Sequence, residues 1–263
     1  SEDMAGREIM PGRWPVEELW ATYAQAPNDH LLIPHVGGRR ALLDWHDPEL
    51  ERLVEVASSW GHFGWLYEEA ARRGLKVGVC ANGDEHRGRC GGGAPGAAVF
   101  GVRGGLTGVL ADHLDRPTIG RALRARHTWA TTGERLVGLT RCGAAIQGDE
   151  VGHTGPAAIF YRFLGAAGIE EIRAFDHTGL FWRRDLHGEL GLATGRVRVR
   201  FGGARVRDRY RAALWRGRIT VIGATVAWFQ GRGFEHPEES CWRSGPTTID
   251  FASETYGDVD AIE

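Results

Sequence analysis

Short apolar segments that alternate with helical stretches run through the first half of the chain, and this alternation constrains the fold more than any other feature. Apolar runs with the length of buried strands occupy residues 31–33, 53–57, 77–81 and 106–111. Helical spacing or helix-start signals occupy residues 16–25, 49–52, 63–73 and 115–125. Because strands that alternate with helices form parallel sheets with crossover helices, the pattern predicts an α/β fold or part of a β/α barrel.

The character of the sequence changes after Thr128, where helical spacing is lost. Short alternating stretches with glycine-rich turns follow at residues 157–163, 169–175, 196–201, 218–222 and 247–251. Such stretches are typical of an antiparallel all-β domain, and a sandwich is the usual form. We therefore expect two domains, an α/β part over residues 1–142 and a β-rich, sandwich-like part over residues 143–263.

The composition excludes some classes of protein. Apolar residues make up 42% of the chain, which suffices for a sizeable core, and no run approaches the length of a membrane span. The net charge of −2 gives no sign of nucleic-acid binding. The first ten residues carry no secretory signal, so a cytoplasmic location is the default expectation. Lys76 is the only lysine, which is typical of a GC-rich coding sequence, and arginine clusters therefore carry little weight.

Metal-binding residue types follow successive predicted strands at or near their carboxyl ends. In chain order these residues are His35, Glu55, Asp84 and His86. Because the carboxyl ends of parallel strands meet at one edge of a sheet, these side chains are expected to converge there. Imidazoles and carboxylates suit zinc, manganese or iron, ions that lower the pKa of a bound water and polarise an ester or phosphoryl oxygen. The pattern therefore predicts a metal site.

Each of these residues also has a simpler interpretation. His35 alone is more often a structural histidine, and Glu55, inside an apolar run, could be a buried acid paired with an arginine. Asp84-x-His86 alone is a weak two-residue pattern. The matched placement after successive strands is what favours a shared site over four unrelated side chains.

A resemblance adds to this interpretation. The segments LLIPHVGG, LVEVASSWG, VCANGDEHRGR, GGLTGVLA and LRARHTWATTG follow one another as they do in PHP-like (polymerase and histidinol phosphatase) proteins described as domain of unknown function 3604, which are related to carbaryl-hydrolase-type metallohydrolases. The resemblance covers residues 14–133 and continues more loosely beyond them. It implies a partial PHP-type barrel and a metal-dependent hydrolase or phosphoesterase that acts on a small molecule with a phosphate ester or other ester-like bond. It also implies that the four residues above are metal ligands.

The chain departs from that family in one respect. PHP proteins begin with a His-x-His motif on the first barrel strand, and this chain contains no His-x-His. We therefore expect an upstream barrel segment or a partner chain to supply those ligands. The alternative is a non-catalytic binding or structural protein with a decayed metal site, in which the β-rich domain is the interacting part.

Four further residues are weaker candidates. His62, just before a predicted helix, could donate a proton to a leaving group or could be a surface histidine. His46, in the loop after His35, could contact substrate or belong to an ordinary loop. Arg87 and Arg89 flank the Asp-x-His pattern and could hold a phosphate or carboxylate, although the arginine bias weakens that interpretation.

Arginine alternates with apolar residues at the start of the last third of the chain. Arg196, Arg198 and Arg200 are separated by Val197 and Val199. This alternation predicts a strand with one solvated face. A nucleic-acid stripe would need interleaved aromatic residues and a net positive domain, so we interpret the arginines as the solvated face.

Overall fold

The structure is a computed structural model that describes residues 16–36, 41–58, 61–84, 104–165, 168–189, 195–202, 213–234, 237–255 and 259–263. Its helices are Val16–Tyr23 (α1), Gly64–Arg72 (α2), Arg116–Arg124 (α3) and the single turn Leu186–Glu189 (α4), with a 3-10 turn at Pro27–Asp29. Within the described ranges, none of these helices is long and apolar enough to cross a membrane.

Strands dominate the architecture. In the first half they are Leu53–Ser58 (β1), Gly61–His62 (β2), Gly78–Ala81 (β3), Leu106–Val109 (β4), Thr128–Thr131 (β5) and Val137–Cys142 (β6). The remaining strands are Ala145–Ile146 (β7), Phe160–Leu164 (β8), Glu171–Asp176 (β9), Gly179–Asp185 (β10), Val199–Gly202 (β11), Ala213–Thr220 (β12), Gly231–Arg232 (β13), Ser240–Gly245 (β14), Thr248–Thr255 (β15) and Val259–Ile262 (β16). They form six small sheets, with the orders β2-β1-β3, β4-β5, β7-β6-β8, β10-β9, β11-β16-β13 and β12-β15-β14.

One β-α-β unit positions the predicted site. Strands β1 and β3 pair in parallel, with Leu53 opposite Gly78 and Glu55 opposite Cys80, and α2 crosses between them. Helix α2 buries Leu66 and Ala70, which are four residues apart and therefore lie on one helical face. The helix ends at Arg72, and Gly74 follows its cap with a φ of +71°, which suits a residue without a Cβ.

The main core of this unit is one cluster of buried apolar side chains. Helix α2, β1 and the segments that flank them contribute Val36, Leu43, Val54, Phe63, Leu66, Ala70 and Val77. Phe63 is among the largest fully buried side chains of the described residues. The helices predicted over residues 16–25, 63–73 and 115–125 are confirmed as α1, α2 and α3, with ends that differ by at most two residues.

The predicted fold class is wrong: no partial β/α barrel is evident, and the described residues form mostly small β-sheets. Of the described strands, only β1 and β3 pair in parallel. Strands β4 and β5 pair antiparallel although α3 connects them, so this crossover does not extend a parallel sheet. Without a continuing parallel ladder the strands cannot close into a barrel.

Two further elements differ from the sequence-based expectation. Residues 31–33 form no strand, although the Leu32 N–H donates to the Leu50 carbonyl at 2.9 Å. Residues 48–50 form a turn instead of the helix predicted at 49–52. The Asp47 carboxylate accepts hydrogen bonds from the backbone N–H groups of Glu49 and Leu50. These two hydrogen bonds stabilise a single turn.

The strands of the second half pair antiparallel in separate sheets. Strand β6, which ends at Cys142, pairs with β8, so that Gly138 lies opposite Phe163 on the other side of the predicted domain boundary. Phe201 of β11 stacks on Phe251 of β15 with ring centroids 4.7 Å apart, which brings two of the small sheets into contact. The division at residue 142 stays a prediction.

Candidate functional site

Three of the predicted ligands come together near the carboxyl ends of β1 and β3. Glu55 lies inside β1 and its side chain is only 4% exposed, whereas Asp84 follows the end of β3. His35 lies on an extended segment that runs beside β1, where the Glu55 N–H donates to the Pro34 carbonyl at 3.3 Å. The parallel pair and the segment beside β1 therefore bring together residues that are up to 49 positions apart in the chain.

His35 lies between the two carboxylates. Its Nδ1 makes a short hydrogen bond with Glu55 Oε2, and its Nε2 lies 3.9 Å from Asp84 Oδ2. The hydrogen bond to Glu55 is the main reason that the pKa of His35 is raised, against an opposing effect of burial. A buried carboxylate thus fixes the orientation of an imidazole that is itself 44% exposed.

Asn82 completes the surroundings of Glu55, and the sequence analysis missed it. Its amide nitrogen donates to Glu55 Oε1 at 2.9 Å, so both carboxylate oxygens of Glu55 accept a hydrogen bond. The available signal was its position directly after the apolar run of β3, at the same strand end as Asp84. A buried carboxylate needs hydrogen-bond donors of this kind.

The loop that carries Asp84 is closely packed against the segment before β4. A Cβ on Gly104 would lie 2.4 Å from the Cα of Gly83, so only glycine allows the two backbones to approach this closely. The Gly105 N–H donates to the Asn82 carbonyl at 2.8 Å. Asp84 itself has a φ of 46°, in the left-handed region that residues other than glycine seldom adopt.

The fit of these residues to a metal ion is partial. In the part of the chain that the structure describes, no group of three or more His, Cys, Asp or Glu side chains is arranged to hold a metal. Two atoms that bind one tetrahedral zinc ion at about 2.0–2.2 Å lie about 3.4 Å apart, and His35 Nε2 and Asp84 Oδ2, at 3.9 Å, lie about 0.5 Å beyond this separation. Glu55 instead resembles the carboxylate that orients a metal-binding histidine.

The other candidate residues differ in where they lie. His62 is exposed on β2, opposite Ala57 near the end of β1. His46 is 95% buried as a side chain and contacts Glu51 Oε2 through Nδ1 at 3.0 Å, before the start of β1. This burial leaves His46 little surface for the predicted contact with substrate. The predicted ligand His86 and the anion-binding candidates Arg87 and Arg89 lie outside the described residues.

Comparison with known proteins gives no identification. The chain matches no family model, no curated protein and no solved structure. The resemblance to PHP-like proteins therefore stays a prediction, and the functional argument depends on the geometry of His35, Glu55 and Asp84.

Proposed function

We propose that this chain carries part of the active site of a divalent-metal-dependent hydrolase, which acts on a phosphate ester or another ester-like bond. The observation that carries the proposal is the position of His35, held by buried Glu55 with its second ring nitrogen 3.9 Å from Asp84 Oδ2. A bound zinc or manganese ion would activate water and polarise the bond to be cleaved.

His35 and Asp84 are the residues that would hold the ion, and Glu55 is a positioning residue. A hydrogen bond from Nδ1–H to Glu55 selects the tautomer in which Nε2 carries the lone pair. That lone pair is then available on the side of Asp84. This arrangement assigns Glu55 a different role from the direct ligand that the sequence predicted, because both of its oxygens already accept hydrogen bonds.

The described donors are too few for a complete site. A catalytic metal usually has about three protein ligands and one open position, and His35 and Asp84 supply two. His86, and the His-x-His of an upstream segment or partner chain, are the further donors that the proposal includes. We therefore expect this chain alone to bind a divalent ion weakly and to hydrolyse slowly.

Turnover of bis(4-nitrophenyl) phosphate with added Mn²⁺ or Zn²⁺ tests this function. Asp84→Asn should abolish metal-dependent turnover, whereas Asp112→Asn, the same change at an exposed aspartate, should leave it unchanged. Glu55→Gln should weaken metal affinity by about 10- to 100-fold, because the amide favours the tautomer with the proton on Nε2. Turnover that resists both chelation and Asp84→Asn would contradict the proposal and would favour metal-free catalysis by the His35–Glu55 pair.

A further inference from the structure

A row of two arginines and one alanine crosses the sheet β11-β16-β13. Arg200 of β11 and Arg232 of β13 both lie opposite Ala261 of the central strand β16. Residues that are directly opposite in antiparallel strands project from the same face, so the small Ala261 side chain lies between two long cationic ones. Adjacent strands are about 4.8 Å apart, which places the two arginine backbones about 10 Å apart.

The three residues of this row line a cavity of about 380 Å³. The lining residues are Glu170, Arg198, Arg200, Arg232, Gly233 and Ala261. Its volume lies within the range of small-molecule sites. The depth of the cavity depends on the methyl side chain of Ala261, because a larger side chain at the centre of the row would fill the space between the arginines.

The charges around the cavity leave it positive. Its three arginines face two glutamates, and Arg198 contacts both of these carboxylates, Glu170 and Glu263. Arg200 Nη1 lies 3.6 Å from Glu170, and Arg232 donates from Nε and Nη2 to Glu263 Oε2 at 3.4 Å, so neither contact uses all five N–H groups of its guanidinium. Both guanidinium groups therefore retain N–H donors for a ligand.

A further acid nearby does not alter this balance. Asp260 precedes Ala261 on β16, so its side chain projects from the opposite face of the sheet, where it hydrogen-bonds with Ser253. Its side chain is buried there. The face that carries Arg200 and Arg232 is thus distinct in charge from the face that packs inward.

We propose that this cavity binds a small oxyanion of the phosphate class, held from both sides by the guanidinium groups of Arg200 and Arg232 above Ala261. Planar guanidinium groups match the spacing of phosphate oxygens and bind them in pairs of hydrogen bonds. The site lies in the β-rich half and is independent of the metal-dependent activity proposed above. The sequence analysis had interpreted Arg198 and Arg200 as an ordinary solvated face.

Titration of the chain with inorganic phosphate in the presence of a chelator tests the site, with binding followed by calorimetry. The double variant Arg200→Gln/Arg232→Gln should bind phosphate at least about tenfold more weakly, because each lost pair of charge-assisted hydrogen bonds weakens binding by that order. Arg216→Gln removes an exposed arginine from β12 and should bind like the unmodified chain. Asp84→Asn should also bind normally, which separates this site from the proposed metal site.

Two comparisons make the test decisive. Arg200→Lys/Arg232→Lys keeps both charges but loses the paired donors, so its affinity should also fall; equal affinity would overturn the role of the guanidinium groups. Succinate should bind more weakly than phosphate if the site is built for a compact oxyanion. No phosphate binding by the unmodified chain, or unchanged binding by a folded glutamine double variant, would overturn the proposal.

Discussion

The β1-α2-β3 unit and the strands β8 to β10 contain similar amounts of apolar sequence but bury it very differently. In β1 five of six residues are buried, whereas every residue of β8 is exposed. Phe63 of the first region is 1% exposed, and Phe181 of the second is 58% exposed. The comparison indicates that the first region forms its own core, and that this core is what fixes Glu55 in place near His35 and Asp84.

The aromatic side chains of the second region contact one another without forming a core among the described residues. Tyr161 stacks on Phe163 at 5.4 Å between ring centroids and contacts Trp182 at 5.9 Å. Arg184 donates to the Tyr161 hydroxyl at 3.1 Å. Such contacts order a surface but remove little apolar area from water, so they stabilise the fold less than the cluster around Phe63 does.

The largest expected effect is the loss of a core side chain in the first region. Phe63→Ala should lower the free energy of unfolding by about 3–5 kcal/mol, because it removes buried contacts and leaves a cavity. The matched change Phe181→Ala should cost about 0.5 kcal/mol or less, since this ring remains largely in water. Urea unfolding of both variants gives the comparison, and equal losses would contradict the assignment of the core to the first region.

A smaller effect should distinguish the buried glutamate of the first region from an exposed one in the second. Burial raises the pKa of Glu51 to about 7, above its ordinary value, whereas its neighbour Arg184 lowers the pKa of exposed Glu189. The folded state thus holds the proton of Glu51 more tightly than the unfolded state. Stability from this group is therefore lost as pH rises towards 7.

The variant Glu51→Gln isolates that contribution. Between pH 5.5 and 6.5 the unmodified chain should lose about 1 kcal/mol of stability relative to Glu51→Gln. Because His46 contacts Glu51 at 3.0 Å, the same comparison is also made in the His46→Gln background, which removes the titration of His46 from both proteins. Glu189→Gln should show no such pH-dependent difference over this range, because the lowered pKa of Glu189 lies below it. Parallel stability curves for Glu51→Gln and the unmodified chain would contradict the assigned burial.

The sequence predicted the local elements of the first region well because their signals are local. Leu66 and Ala70 at helical spacing, followed by Gly74, specify α2 and its end. The pairing of strands is not local: nothing in the periodicity of β4 and β5 distinguishes an antiparallel pair from the parallel one that a barrel needs. The prediction of a barrel was therefore wrong, although three of the four helices predicted in this half of the chain were confirmed.

The candidate site could also be predicted only in part, because some of its contacts join residues that are distant in the sequence. Positions at or near the ends of successive apolar runs singled out His35, Glu55 and Asp84, and these side chains do lie close together. Their role as metal ligands stays a prediction. The hydrogen bond from Asn82 to Glu55, which led us to propose a positioning role for Glu55, depends on a side-chain contact between residues that are distant in the sequence. His46 was placed near substrate by its loop, whereas its partner Glu51 keeps it buried before β1.

Hydrogen exchange followed by mass spectrometry, with and without Zn²⁺, tests most directly the claim that the packed first region carries the metal site. The account predicts that Zn²⁺ slows amide exchange in peptides that span β1 and residues 78–84, that Asp84→Asn removes this effect, and that peptides covering β8 to β10 do not change. Exchange that Zn²⁺ leaves unaltered in β1 and residues 78–84, or slows only in β8 to β10, would contradict it.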